Sequence, residues 1–263
     1  MACIIRQALQ GYLSNRKDAE ERGNKEMSYH NSKFYHGLRV ILVISMGWIT
    51  HAEAAGTGKD ILDTQCLSCH AISQKTPQTL KELWERKGPD LSSAGIKYKS
   101  EWLTLWLQNP TRIRSAGMFY GNHIKLGKKL DEVDQSSLVK HPQLSSEDAK
   151  QVTEVLMTLK QNQALVTAGD YKPGRISMTM GDMMFDKFKG CLACHQIEPG
   201  YGGISGSEMY TAANRLQEDY LISFMRNPQA WEPKSIMQNK NLKEIDLQKL
   251  VHYLRALAKE NVK

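Results

Sequence analysis

Apolar residues recur at helical spacing in two long stretches of the chain. Val152, Val155, Leu156 and Leu159 fall at i, i+3, i+4 and i+7, behind Ser145 and Ser146 and an acidic first turn, and Leu247, Leu250, Val251 and Leu254 repeat that spacing. Two aromatic-rich amphipathic segments, SEWLTLWLQNP and EDYLISFMRNP, predict helices that stop at Asn109-Pro110 and Asn227-Pro228. Proline closes a helix by removing a donor and restricting the residue before it. Shorter helix-like segments are expected over 60–65 and 181–189. No segment alternates convincingly as a strand, so the expected fold class is all-α.

These elements come in the same order twice, which indicates a tandem duplication. Each copy starts with a short helix and the pentapeptide C-x-x-C-H, as Cys66-Leu67-Ser68-Cys69-His70 and Cys191-Leu192-Ala193-Cys194-His195, 125 residues apart. A loop rich in glycine and polar residues follows, then the helix that stops at Asn-Pro, then the long closing helix. The expected boundaries are an N-terminal extension with an export signal over 1–54, a first domain over 55–162, a linker over 163–178 and a second domain over 179–263. Residues 119–140 have no counterpart in the second copy and form an inserted loop of the first.

The N-terminal reading rests on an apolar run over 40–49 behind basic residues, followed by His51-Ala52-Glu53-Ala54-Ala55. That order fits a signal peptide cleaved after Ala54, with Met27 an alternative start. The run is shorter than the ~20 residues of a membrane span. Export predicts a periplasmic or otherwise extracytoplasmic protein, with membrane contact only through an uncleaved signal or a partner complex. The first 54 residues hold seven Lys/Arg, five Asp/Glu and Cys3, so the remainder keeps a net charge of +5 and every remaining cysteine belongs to a C-x-x-C-H motif.

Two thiols three residues apart, followed by an imidazole, form the c-type haem attachment signature: two thioether anchors and a proximal ligand. Four propionates from two haems would offset most of the positive charge. The sequence pI of 9.0 therefore does not indicate a nucleic-acid partner. Two rival readings of paired C-x-x-C motifs are a tetrahedral zinc site and separate redox disulfides. Neither calls for a histidine after both pairs or for the matching helices downstream.

The whole order of parts resembles a tandem of class I cytochrome c domains over roughly residues 57–260. The resemblance implies two domains, each wrapping one covalently bound haem c. The haem would be bound through Cys66, Cys69 and His70 in the first domain, and through Cys191, Cys194 and His195 in the second. It also implies a distal methionine after Asn-Pro, which in the second copy is Met237, ten residues after Asn227 and behind Pro233. The first copy offers two main contenders. Met118 lies nine residues after Asn109, and His141-Pro142 stands where many bacterial members have Met-Pro; His123 is a third. The family's Gly-Pro pair, whose carbonyl holds the proximal imidazole, resembles Gly88-Pro89. The second copy offers only Gly203 or Gly206, without proline. Trp106 and Trp231 are expected to pack on haem or on helices.

Two axial protein ligands leave iron no open position, so the implied activity is one-electron transfer between redox protein partners. Lys125, Lys128 and Lys129 in the inserted loop could steer an acidic partner. Two alternatives remain: an electron-transfer subunit of a larger oxidoreductase, and a peroxidase-like dihaem enzyme with substrate at the first haem. No catalytic constellation promotes the enzyme.

Overall fold

A computed structural model of the chain describes residues 57–73, 77–128 and 131–260; the expected export signal and Lys129 lie outside them. The first copy opens with α1 (Gly58–Ile61), capped by Thr57 and continued by a π turn over Leu62–Cys66 that delivers the first motif. Next come α2 (Leu80–Glu85), α3 (Ala94–Lys97), α4 (Ser100–Gln108) and the closing helix α5 (Ser146–Thr158). Ser145 caps α5 by accepting the Asp148 N–H, as the sequence predicts, and Val152 and Leu156 are buried. The second copy opens with α6 (Met178–Met183) and a π turn over Met184–Phe188. The Ser177 hydroxyl caps α6, which therefore starts before the expected residue 181.

The expectation of an all-α chain is corrected to mostly α. Two short antiparallel hairpins are present, β1 (Ile124–Lys125) with β2 (Glu132–Val133) and β3 (Gln196–Glu198) with β4 (Tyr201–Gly202). Strands of two or three residues are too short to show alternation. The second hairpin turns at Pro199-Gly200, where Gly200 takes φ +80°, a conformation that Pro-Gly favours. The second copy then continues through α7 (Ala212–Arg215), α8 (Glu218–Arg226), α9 (Pro228–Trp231) and the closing helix α10 (Glu244–Glu260). Leu247, Leu250, Val251 and Leu254 of α10 are all buried, as their spacing predicts.

In each copy the first helix crosses the closing helix at a glycine. A Cβ on Gly58 would lie 2.2 Å from the Gln151 carbonyl oxygen, and one on Gly181 would lie 2.0 Å from the Tyr253 ring. The segments peculiar to the first copy pack on each other. Trp84, from α2, stacks on Phe119 of the inserted loop at 4.6 Å, and Asn122 donates to the Trp84 carbonyl.

The two copies meet through equivalent residues. Tyr98 and Leu216, 118 positions apart, form an antiparallel bridge: Lys99 N–H donates to Arg215 O and Gln217 N–H to Lys97 O, both at 3.0 Å. The side chains repeat the exchange. Lys99 Nζ donates to Ala213 O at 2.8 Å and Gln217 Nε2 to Gly95 O at 3.1 Å. Each partner presents to the other the surface it receives, as across a two-fold axis. The expected linker over 163–178 lies on the second copy, where the Asp219 carboxylate accepts from the Gly169 and Tyr171 amides and Arg226 pairs with Asp170. No helix among the described residues is long and apolar enough to cross a membrane.

Candidate cofactor sites

Both C-x-x-C-H motifs open onto one continuous cavity of about 1450 Å³, lined by Cys66, Cys69 and His70 at one site and Cys191, Cys194 and His195 at the other. Pockets for single small ligands run to ~300–1,000 Å³. This one is large enough for more than one such occupant. Its wall carries eight basic side chains against three acidic ones, which suits ligands that bring carboxylates.

The same imidazole cradle is built twice. His70 Nδ1 lies 2.8 Å from Pro89 O and His195 Nδ1 lies 2.7 Å from Ser207 O. A carbonyl can only accept, so in each ring Nδ1 carries the proton and Nε2 keeps a lone pair for a metal. A glycine clears the space beside each ring: a Cβ on Gly88 would lie 2.6 Å from His70, and one on Gly206 2.5 Å from His195. The next backbone contact repeats too, Leu91 N–H to Ala71 O and Met209 N–H to Gln196 O, both 2.7 Å. Gly206-Ser207 is therefore the counterpart of Gly88-Pro89. Gly203 serves elsewhere, packing under Ala193, where a Cβ would lie 2.0 Å from its carbonyl oxygen.

Of the three contenders for the first distal position, His141 has its ring beside that of His70, with centroids 6.2 Å apart and the planes tilted by 59°. Metal–imidazole bonds of about 2 Å on opposite sides of one ion put two ring centres roughly 6 Å apart. His141 Nδ1 lies 2.7 Å from Pro142 O, which again leaves Nε2 with its lone pair. Trp106 braces that ring edge-on at 4.6 Å and ends a stacked series, Tyr98, Trp102 and Trp106, along α4. Met118 and His123 also line the cavity, and His123 is tied through Nδ1 to the Ser137 hydroxyl. Met237 lines the cavity, on a loop held by Gln229 Nε2, which donates to Met237 O at 2.8 Å. Trp231 packs edge-on against Tyr220 and donates to Ser223 Oγ.

Burial holds His70, His141 and His195 below the ordinary imidazole range, so each is a neutral donor near pH 7. Burial also pushes the Cys66 and Cys191 thiols up, away from the thiolate that free metal binding requires. The four motif cysteines are free thiols, and among the described residues no three His, Cys, Asp or Glu side chains converge on one point. This donor set suits a cofactor that carries its own metal and accepts thioethers. Arg215, in a side chain only 4% exposed, has its Nε 3.4 Å from the Glu208 carboxylate, at ion-pair rather than hydrogen-bond geometry. No family model, curated protein or solved structure matches the chain.

Proposed function

We propose that the chain is an exported dihaem c-type cytochrome that carries single electrons between redox partners. The observation that carries the reading is the doubled cradle: glycine against the ring, carbonyl on Nδ1 and a C-x-x-C pair, built twice on one cavity. A bound haem c supplies a one-electron ferric/ferrous couple. Cys66 and Cys69, and Cys191 and Cys194, would anchor it by thioethers, with His70 and His195 as proximal ligands.

In this reading His141 is the distal ligand of the first site and Met237 that of the second, while Met118 is a wall residue. A methionine ligand favours the ferrous state relative to histidine, so the second site is the more oxidising and electrons run from first to second. The shared cavity gives them a route within the chain. Exposed Lys125 and Lys128 offer a basic rim to an acidic partner.

The test is expression in a host able to attach haem c, followed by intact mass and by electron paramagnetic resonance with near-infrared magnetic circular dichroism. The reading expects two covalent haems, one His/His and one His/Met. A chain that leaves such a host without covalent haem would overturn it. Rapid carbon monoxide binding at one haem with peroxide turnover would move the chain to the enzymes.

A further inference from the structure

Between the two cradles the wall is built from both copies and holds more positive charge than it neutralises. Arg86 pairs with Glu232 at 2.7 Å across the copy boundary, and Arg215 pairs with Glu208 at 3.4 Å, both partners 4% exposed. Two further cations are left over. Lys97 Nζ sits over the Tyr98 and Tyr220 rings, 5.1 and 5.7 Å from their centroids, with no carboxylate in ion-pair range among the described residues. Arg114 lines the cavity, and its side chain has no hydrogen bond or ion pair among the described residues. Its nearest acidic influence is Glu232, already engaged by Arg86. The Lys97 and Arg114 side chains are both half-buried on the cavity wall, and a half-buried cation without a carboxylate partner can take its counter-charge from a ligand.

The backbone around Arg114 says which site it serves. Although it belongs to the first copy, its neighbours are fastened to the second copy on both sides of the His195 cradle. Ile113 O accepts from Glu208 N–H at 2.8 Å, next to Ser207, whose carbonyl holds His195. Ser115 Oγ bonds to Gln196 Oε1 at 2.5 Å, next to His195 itself.

We propose that Lys97, Arg114 and Arg215 form one carboxylate site shared by the two copies, in which Arg114, supplied by the first, binds a propionate of the haem at His195. The first copy thereby sets the potential of the second copy's iron. This rests on the dihaem reading and adds a residue assignment to it. Arg114 is a positioning residue: it binds the cofactor's carboxylate and acts on the iron through charge.

The experiment is a spectroelectrochemical titration of the full-length holoprotein and its Arg114→Gln variant, following each haem by its own signals, with haem content read by intact mass. Loss of the cation should shift the ferric/ferrous equilibrium of the His195 haem roughly tenfold toward ferric, a fall of 59 mV for one electron. The other haem should shift less, and Arg114→Lys should restore most of the potential. If Arg114→Gln does not fold, Lys97→Gln should move the same haem in the same direction. With two haems present, an unchanged or equally shifted pair of potentials overturns the assignment of Arg114. A wild-type mass without haem overturns the dihaem reading itself, and the two failures are told apart by that mass.

Discussion

The rings of His70 and His141 lie with 6.2 Å between centroids and their planes tilted by 59°, although 71 residues separate them in the chain. Each has its Nδ1 beside a carbonyl, so the two lone pairs are free to serve one ion. On the dihaem reading His141→Ala should free a ligand position, seen as carbon monoxide binding to the ferrous first haem and loss of the His/His resonance signal. Met118→Leu should leave both haem spectra as they are. The reverse pattern would transfer the distal role to Met118.

Gly88→Ala and Gly206→Ala each place a methyl group within 2.6 Å of an imidazole ring. Overpacking of this kind costs about 1–3 kcal/mol. On the dihaem reading it also tilts the ring that would hold the iron. Each variant should lower thermal stability and reduce haem incorporation at its own site alone, which site-resolved peptide mass after proteolysis would measure.

Gln217 donates through Nε2 to both Gly95 O and Tyr98 O across the copy boundary. Gln217→Ala leaves two carbonyls without their partner and should cost about 1–2 kcal/mol. Chemical denaturation would read this as a lower midpoint. If the copies were held by their apolar contacts alone, the midpoint would not move.

Acid should loosen the closing helix of the second copy. Arg226 holds the Glu244 carboxyl below its usual range and Lys189 does the same for Asp246, both in the first turn of α10. A carboxyl depressed in the folded state stabilises it fully above the unfolded value, about 4, and loses that contribution as pH falls through the lower folded value. Thermal midpoints measured from pH 7 to 2 should fall most steeply below 4. Asp246→Asn should cost about 0.5–1 kcal/mol at pH 7 and flatten that fall.

The helices and their order were legible because apolar spacing and Asn-Pro stops survive in both copies. The motif residues were legible because their spacing is itself chemistry. The second cradle was legible only in part: Gly206 stood as one of two candidates beside Gly203, and attention to a Gly-Pro pair hid Ser207. What matters at that position is a carbonyl, which every residue carries. The change in offset between copies, 125 at the motifs and 118 at Asn-Pro, was the available signal, since it places a seven-residue difference between each histidine and its glycine. The choice between Met118 and His141 was not legible either. It depends on how the inserted loop folds back over α2, a long-range contact that no local pattern records. The bridge between the copies is backbone, so side-chain patterns could not announce it.

The bridge at Tyr98 and Leu216 has a consequence for how such a chain could arise. A surface that matches its own copy needs only one gene to encode both sides, so a single-copy ancestor with this edge would already pair with itself. Duplication and fusion then turn a concentration-dependent encounter into a permanent one, and release the halves from identity. Lys97 corresponds to Arg215, Lys99 to Gln217, and Arg114 stands where the second copy has Glu232. The backbone handshake is unchanged while the residues around it have specialised.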